Sequence, residues 1–252
     1  MHGQADLAIS TLNDMRSHAE MIAQLDPSIP IIADADTGFG GPIMVARTVS
    51  QYARSGVAAL HIEDQIQMKR CGHLGGKILD DTESFLSCIR AAVQARKRIG
   101  SDIVISARTD ASQMYGYEES LARLKAARDA GADMGFLEGV SSKEMARQVV
   151  QDLAPWPILL NMVEHGATPI ISAEEAKNFG FKAIIVPFAA LAPAYVAIKE
   201  TYEKLKREGI TGSDSSFTPQ KLFQICGLKE SLQIDTEAGS SNFKVGVDLK
   251  KA

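Results

Sequence analysis

The chain has 252 residues, 45% of them hydrophobic and 23% charged, which suits one (β/α) barrel or two small domains. Its 27 basic residues are outnumbered by 31 acidic ones, and the net charge of -4 argues against a nucleic-acid-binding protein. No apolar run approaches the ~20 residues of a membrane helix, and the first residues do not resemble a signal peptide. The three cysteines, Cys71, Cys88 and Cys226, make no disulfide framework, so a cytoplasmic protein is expected.

Six short apolar runs, each followed by polar or acidic residues, are predicted as strands. They are rich in Ile, Val and Leu without alternation, which fits strands buried on both faces of a parallel sheet. The runs are Pro30–Ala33, Val57–Ile62, Ile103–Ser106, Met134–Leu137, Ile158–Leu160 and Ala183–Val186.

Helical patterns with recognisable ends lie between these runs. Pro42 suits the first turn of a helix, and Tyr117–Ala130 has its leucines on one face. The residues predicted to begin helices are Thr82 as an N-cap, and Ser141 with Glu144 and Ser172 with Glu175 as capping boxes. The glycines predicted to end helices are Gly56, Gly131 and Gly180, each just before an apolar strand.

This alternation predicts an α/β fold, a (β/α)8 TIM-type barrel with its polar residues at the carboxyl ends of the strands. A doubly wound sheet is the alternative, but it would gather its functional groups at one switch point rather than at several strand ends. Six units are two short of eight. The sheet is therefore expected to be open, or the barrel to lack its first two βα units.

The pattern changes towards the C-terminus. Residues 1–207 are predicted as the incomplete barrel domain, and residues 208–252 as a linker, a short helix and a tail. The linker is polar and serine-rich, the helix is expected at Pro219–Leu228, and no strong periodicity remains from about Asp235. The helix is expected to pack either on its own domain or on a neighbouring subunit.

Three acidic residues follow the first two predicted strands. Asp34 and Asp36 share a face because alternate strand residues point the same way, and Glu63 ends the neighbouring strand. Three converging carboxylates repel each other unless a hard cation lies between them, which predicts Mg²⁺, with Mn²⁺ as an alternative. The competing interpretation is that these acids cap helices or pair with arginines.

The segment Lys69–Lys77 reads Lys-Arg-Cys-Gly-His-Leu-Gly-Gly-Lys. Its basic residues surround Cys71 and are expected to lower the thiol pKa towards neutrality. Its glycines, Gly72 among them, supply the freedom of a loop that could close over a site. Zinc is a weaker alternative, because one Cys and one His without a second pair make a poor ligand set.

Polar residues also end the later strands. Arg108 and Asp110 follow the third, Glu138 the fourth and Asn161 the fifth. One fixed cation, several acids and an amide around a metal suit a small polycarboxylate substrate. The alternative for each residue is a satisfied polar group at a strand end.

These segments together resemble the isocitrate lyase/phosphoenolpyruvate mutase superfamily. The resemblance rests on Asp34–Gly38, His61–Gln65, Lys69–His73, Ala107–Asp110 and Asn161–Glu164, of which Lys-Arg-Cys-Gly-His is the most specific. It implies a Mg²⁺-dependent barrel and a homotetramer, a dimer of dimers that exchange the C-terminal helix. It also implies direct or water-mediated metal contacts for Asp34, Asp36, Glu63 and Asp6.

Within that superfamily the chain is similar to the branch that holds 2,3-dimethylmalate lyase and oxaloacetate acetylhydrolase. Its cysteine motif implies a C–C lyase acting on a 2-hydroxy di- or tricarboxylate of the dimethylmalate or methylisocitrate kind. The residues given catalytic roles by the resemblance are Cys71 as general acid, Arg108, Glu138 and His73; those given substrate-binding roles are Lys69, Gly72, Asn161 and Pro187. Pro187 stands where the hydrolases are expected to have serine, which favours the lyase.

The resemblance also implies additional residues before Asp6, including the first two barrel strands. Two other functions therefore stay open: an oxaloacetate acetylhydrolase, and a non-catalytic homologue that acts only as an assembly partner. A mitochondrial location stays open as well. No nucleic acid or membrane partner is expected.

Overall fold

A computed structural model describes residues 3–240, 242 and 243 of the chain. Its centre is one parallel sheet of six strands, in which each strand pairs with the next one along the chain. The strands are β1 (Ile32–Asp34), β2 (Ala59–Glu63), β3 (Val104–Thr109), β4 (Met134–Leu137), β5 (Ile158–Asn161) and β6 (Ala183–Ile185). The predicted α/β fold with a parallel sheet is confirmed.

The strand order agrees with the predicted barrel and not with the alternative, a doubly wound sheet. A doubly wound sheet reverses its direction at a switch point, whereas here the order runs from β1 to β6 without reversal. Within the described residues, β1 and β6 each pair with one strand only, so the six-stranded sheet has two edges.

Among the described residues of the first 188, seven helices accompany this sheet. They are α1 (Leu12–Leu25), α2 (Pro42–Arg54), α3 (Thr82–Ile99), α4 (Ala111–Tyr115), α5 (Tyr117–Asp129), α6 (Lys143–Asp152) and α7 (Ala173–Phe179). Two of them, α1 and α4, were not predicted. α1 begins with a capping box in which Thr11 and Asp14 bond each other's backbone N–H groups.

The predicted helix ends are partly right. Gly56, Gly131 and Gly180 have φ of +85°, +104° and +104°, and the Ser172–Glu175 capping box is present. The cap at Thr82 is wrong, because the Asp81 carboxylate accepts the Ser84 N–H and Thr82 is already helical. The box at Ser141 and Glu144 is also wrong: the helix begins one residue later, with the Ser142 hydroxyl accepting the Met145 N–H at 3.0 Å.

The core lies between the strands and the helices that cover them. All five residues of β2 are buried, and Val45 and Val49 of α2 are fully buried in the same cluster. Tyr52 of α2 is also buried, and its hydroxyl donates to the Asp34 carbonyl at 2.8 Å. This bond fixes the carboxyl end of β1, where the predicted acids lie.

The chain divides into two compact units, residues 1–188 and 189–252. The second contains α8 (Leu191–Glu208), α9 (Pro219–Ile225) and α10 (Leu228–Glu237). The predicted boundary after residue 207 falls at the end of α8, and this domain division stays a prediction, as does the exchange of a helix between subunits.

The short helix predicted at Pro219–Leu228 is present as α9, but its predicted end is wrong: α9 ends at Ile225, and Gly227, with φ of +82°, separates it from α10. The loose tail was predicted from about Asp235, but Asp235 is still part of α10, which ends at Glu237. Residue 241 and residues 244–252 of the predicted tail lie outside the described part of the chain. In that described part, no helix combines the length and the apolar composition that crossing a bilayer requires.

Candidate active site

Nine of the twelve predicted site residues line one cavity of about 170 Å³ at the carboxyl ends of the strands. They are Asp6, Asp34, Cys71, Gly72, His73, Arg108, Glu138, Asn161 and Pro187. The other three contact this group: Lys69 is paired with Asp6 and Asp36, and Glu63 with Arg108. The structure therefore brings all twelve residues into one connected site.

Arg108, at the end of β3, is the central cation of the site. Its Nη1 lies 3.1 Å from Glu63 Oε2, and its Nε and Nη2 donate to Asp110 at 2.9 and 3.2 Å. Burial alone would lower the guanidinium pKa, but Glu63, Asp110 and Glu138 hold it well above its ordinary value. Arg108 is thus a permanently charged group beside the cavity, as its predicted role requires.

The predicted metal-binding carboxylates do not meet at one point. Among the described residues, no group of three or more His, Cys, Asp or Glu side chains is placed to hold a metal. The Lys69 ammonium lies 2.8 Å from Asp6 and 2.5 Å from Asp36, and Arg108 draws Glu63 towards itself. The convergence expected from the sequence is therefore wrong for this arrangement, because two basic side chains occupy the space between the acids.

Burial and neighbouring charges nevertheless shift the pKa values of these carboxylates in different directions. Burial raises the pKa of Glu63 to about 8, and burial together with repulsion from Asp34 raises the pKa of Asp36 to about 6. Burial also opposes ionisation of Asp34, but His61, Lys69 and Arg108 hold the pKa of that carboxyl below its ordinary value. Asp34 therefore stays ionised near neutrality, whereas for Asp36 and Glu63 the nearby positive charge does not offset the cost of burying a carboxylate.

The donor set fits a hard divalent cation. All four acids offer carboxylate oxygens, and the buried Glu63 Oε2, although ion-paired with Arg108, accepts no well-oriented hydrogen bond from the described residues. Mg²⁺ binds through one or two carboxylates and keeps several waters, so it does not need three side chains at one point. The Lys69 ammonium lies between Asp6 and Asp36 and supplies positive charge among these carboxylates, as a bound cation would.

The loop of residues 66–79 carries the predicted cysteine and is held at its entry by Gln65. The Gln65 amide accepts the Arg70 N–H at 3.2 Å and donates to the Arg70 carbonyl at 2.8 Å and to Glu63 at 3.0 Å. The Cys71 N–H donates to the Asp6 carbonyl at 3.1 Å. These bonds place the thiol at the edge of the cavity.

The expected lowering of the Cys71 pKa is wrong. Burial raises the pKa of the thiol above its ordinary value, and Asp6 adds to this. A backbone hydrogen bond at His73 and the charges of Arg108 and Lys69 lower the pKa, but by less than burial raises it. A thiol with a raised pKa stays protonated near neutrality, which suits a proton donor and not a thiolate nucleophile.

Glu138, at the end of β4, connects the far side of the cavity. It accepts from Asn161 Nδ2 at 3.1 Å and lies 3.9 Å from His73 Nε2. Asn161 Oδ1 and both ring nitrogens of His73 are buried without hydrogen-bond partners among the described residues. Such polar atoms on a cavity wall are free to bind a polar ligand.

Gly72 is placed where only a glycine fits. A Cβ on this residue would lie 2.7 Å from Arg108 Nη2 and 2.7 Å from Glu138 Oε1. The loop backbone therefore lies directly against the two charged side chains of the cavity, which gives the predicted Gly72 a steric reason.

The lining of the cavity combines polar and apolar side chains, and Phe136 lies against the Arg108 guanidinium, 5.2 Å from ring centroid to Cζ. The apolar lining residues are Phe136, Val163, Ile185, Pro187 and Phe188. Sequence reasoning gave no individual role to His61, Gln65, Asp110 or Lys77, although the first three each contact a predicted site residue and Lys77 contacts Asp110. Strand alternation was the available signal for two of them, since His61, Glu63 and Gln65 occupy every second position.

Comparison with known proteins decides the family. A sequence model of the phosphoenolpyruvate phosphomutase family matches residues 1–206. The chain belongs to the phosphoenolpyruvate mutase/isocitrate lyase superfamily. The resemblance drawn from the sequence is thereby confirmed, and the fold built on the six-stranded sheet belongs to this fold family.

Several relatives within the superfamily are carbon–carbon lyases. The chain is 34% identical to 2,3-dimethylmalate lyase of Eubacterium barkeri over 235 residues, covering 92% of this chain and 80% of the relative. It is 42% identical to 2-methylisocitrate lyase of Salmonella typhimurium over 208 residues, covering 82% of this chain and 69% of the relative. Both names agree with the lyase expectation.

Two solved structures are more similar still. A crystal structure of 2,3-dimethylmalate lyase is 70% identical with a TM-score of 0.96, covering 98% of this chain and 82% of that one. A structure of oxaloacetate acetylhydrolase with the inhibitor 3,3-difluorooxalacetate is 56% identical with a TM-score of 0.93, covering 96% and 82%. The predicted branch of the superfamily is therefore confirmed, with the lyase showing the higher identity of the two.

Proposed function

We propose that this chain is a carbon–carbon lyase that cleaves a 2-hydroxy dicarboxylate of the 2,3-dimethylmalate type into a 2-keto acid and a carboxylate. One observation carries the proposal: the half-buried Cys71 thiol and the permanently charged Arg108 line the same cavity, together with several apolar side chains. Apolar lining residues accommodate the methyl groups of a substituted malate. The 70% identity to a dimethylmalate lyase structure supports the same substrate class.

Arg108 binds and neutralises a substrate carboxylate, and Asn161 and His73 offer their unpartnered polar atoms to its oxygens. When bound, Mg²⁺ or Mn²⁺ would be held by Asp34, Asp36, Glu63 and Asp6, directly or through water, and would supply Lewis-acid stabilisation of negative charge on oxygen.

The bond that breaks joins the hydroxyl-bearing carbon to its neighbour. The hydroxyl proton passes to one of the carboxylates that line the cavity, a carbonyl forms on the first carbon, and the electron pair of the broken bond passes to the second. The Cys71 thiol donates a proton to that second carbon, which becomes a C–H of the departing carboxylate. Arg108 stabilises the negative charge that develops before this proton arrives.

The test replaces the proposed proton donor. Cys71→Ser should lower turnover of 2,3-dimethylmalate at least ~10²-fold, the lower range for general acid catalysis. Cys88→Ser is the matched control, because Cys88 is also half-buried but lines a different cavity, and it should retain normal turnover. Near-normal turnover in Cys71→Ser would contradict the assigned role.

Oxaloacetate hydrolysis is the second candidate, favoured by the 56% identity to oxaloacetate acetylhydrolase. Oxalate release from oxaloacetate, measured beside dimethylmalate cleavage with the same preparation, separates the two. Faster oxalate release would show that Pro187 does not exclude the hydrolase reaction. Absence of both activities would favour the non-catalytic assembly partner.

We also propose a homo-oligomer in the cytoplasm. Support for the assembly comes from α8, α9 and α10, which bury none of their residues and expose large apolar side chains such as Tyr195, Tyr202 and Phe223. Light scattering on the purified chain measures the assembly directly, and a monomer would contradict the proposal.

A further inference from the structure

Behind Arg108 lies a buried ion pair that the proposed mechanism does not use. Asp110 Oδ1 accepts from Lys77 Nζ at 2.6 Å, and the same carboxylate accepts two bonds from Arg108. The Lys77 and Asp110 side chains are 1% and 0% exposed. Neither residue lines the cavity, so a direct contact with substrate does not explain their burial.

The position of Asp110 is fixed from the opposite side. Its backbone N–H donates to Asp64 Oδ1 at 2.9 Å, while Asp64 Oδ2 accepts from the Thr109 hydroxyl at 2.6 Å and from Arg123 at 3.2 Å. Asp110 is therefore a rigid anchor at the end of β3.

Lys77 lies at the exit of the 66–79 loop. The two ends of this loop are joined by the Ile66 N–H, which donates to the Ile78 carbonyl at 3.0 Å. The Asp80 N–H then donates to the Asp64 carbonyl at 2.9 Å. Between its ends the loop carries four predicted residues of the site, Lys69, Cys71, Gly72 and His73, so the Lys77 pair joins this segment to the carboxylate that anchors Arg108.

We propose that Lys77 is a positioning residue: its ion pair with Asp110 holds the 66–79 loop against the carboxylate that orients Arg108. The thiol on the loop and the guanidinium on β3 then take their places together. The kinetic consequence rests on the proposed lyase function, whereas the attachment of the loop is measurable without turnover.

The charges support this arrangement. Asp110 is paired with both Lys77 and Arg108, and the Lys77 ammonium offsets part of the negative charge of this carboxylate. Asp110 therefore weakens the attraction between Arg108 and a substrate carboxylate less than it would without Lys77. Without the Lys77 ammonium, Asp110 would pair with Arg108 alone and the loop exit would lose its buried attachment. Lys77 therefore affects both the binding charge and the placement of the proton donor.

The first experiment measures iodoacetamide labelling of each cysteine in the native full chain by peptide mass spectrometry. In Lys77→Met, Cys71 should be labelled about tenfold faster, because a detached loop opens more often. Cys88 is the internal reference for global loosening and should keep its rate. Lys97→Met, at an exposed lysine on α3, should change neither rate.

Unchanged Cys71 labelling in Lys77→Met would overturn the proposal, and so would a parallel rise at Cys88, which would indicate general destabilisation. If Lys77→Met does not fold, Lys77→Gln gives the same test, because it retains a polar side chain without the charge. Its Cys71 rate should also rise, and an unchanged rate would overturn the proposal.

The second experiment measures kinetics with 2,3-dimethylmalate. Lys77→Met should lower kcat and raise KM, and Lys77→Arg should restore part of both because it keeps the charge. Equal losses in Lys77→Arg and Lys77→Met would contradict the charge argument. No turnover in the unsubstituted chain would instead defeat the proposed function, and the labelling rates would still decide the role of Lys77.

Discussion

Gly72 shows how closely a loop backbone can approach charged side chains. An alanine Cβ there would lie 2.7 Å from both Arg108 Nη2 and Glu138 Oε1, so the loop or the two side chains must shift. A displacement of about 1 Å at a reacting centre can cost ~10²-fold in rate. We expect Gly72→Ala to lower kcat/KM for dimethylmalate by 10- to 100-fold, by this order-of-magnitude argument.

Gly75 offers the matched control, since a Cβ there meets no atom within 4 Å. Gly75→Ala should keep the kcat/KM of the unsubstituted chain, and both variants should unfold at similar temperatures. Equal activity of the two alanine variants would show that the contact at Gly72 does not position the site.

The thiol of Cys71 illustrates what sequence proximity cannot establish. Lys69, Arg70 and His73 are its neighbours along the chain, yet burial raises the pKa of the thiol by more than the charges of Lys69 and Arg108 lower it. The burial of a group depends on residues from distant parts of the chain. For that reason the sequence predicted where the cysteine lies but not the direction of its pKa shift.

Among the elements, the strands and their carboxyl ends were predictable because buried parallel strands leave continuous apolar runs. Helix α1 was not, since it buries only Leu12, Ala19 and Ala23, and small residues give a weak apolar pattern. The Lys77–Asp110 pair joins residues 33 positions apart, which no local periodicity can reveal. Local patterns thus predict the scaffold, while the ion pairs of the site depend on the assembled sheet.

The start of α6 provides a sharp comparison between two adjacent serines. The Ser142 hydroxyl accepts the Met145 N–H, whereas Ser141 lies outside the helix and is exposed. Ser142→Ala should lower the free energy of unfolding by about 1 kcal/mol, the usual cost of losing an N-cap. Ser141→Ala should change it by less than about 0.5 kcal/mol, as expected at an exposed position.

Urea unfolding of the two variants under the same conditions measures this difference. A midpoint shift confined to Ser142→Ala supports the cap observed in the structure. The reverse result, with the larger loss in Ser141→Ala, would restore the capping box that the sequence predicted.

For the whole molecule, the buried acids make stability depend on pH. Glu63 has a pKa near 8 in the folded chain against an ordinary 4.5, so the folded state holds a proton that the unfolded state has released. Stability from this group is fully present below 4.5 and is lost as the pH rises through about 8. Asp36 acts in the same direction, but its change is nearly complete above its folded pKa of about 6.

His61 acts in the opposite direction at lower pH. Burial lowers its pKa below the ordinary 6.5, so its contribution to stability rises with pH and is nearly constant above neutrality. The interval from pH 7 to pH 8 therefore lies above most of the change at Asp36 and His61, and the Glu63→Gln variant identifies the part that Glu63 contributes. We expect the unfolding temperature of the metal-free chain to fall across this interval, and Glu63→Gln to reduce the slope.

A divalent cation should reverse this loss, because it binds deprotonated carboxylates in the folded chain. We expect added Mg²⁺ to raise the unfolding temperature more at pH 8 than at pH 6, where Glu63 holds its proton. Thermal scans with and without Mg²⁺ at both values measure the effect, and Asp36→Asn should weaken it. An equal shift at the two pH values, or none at either, would contradict a cation site built from these acids.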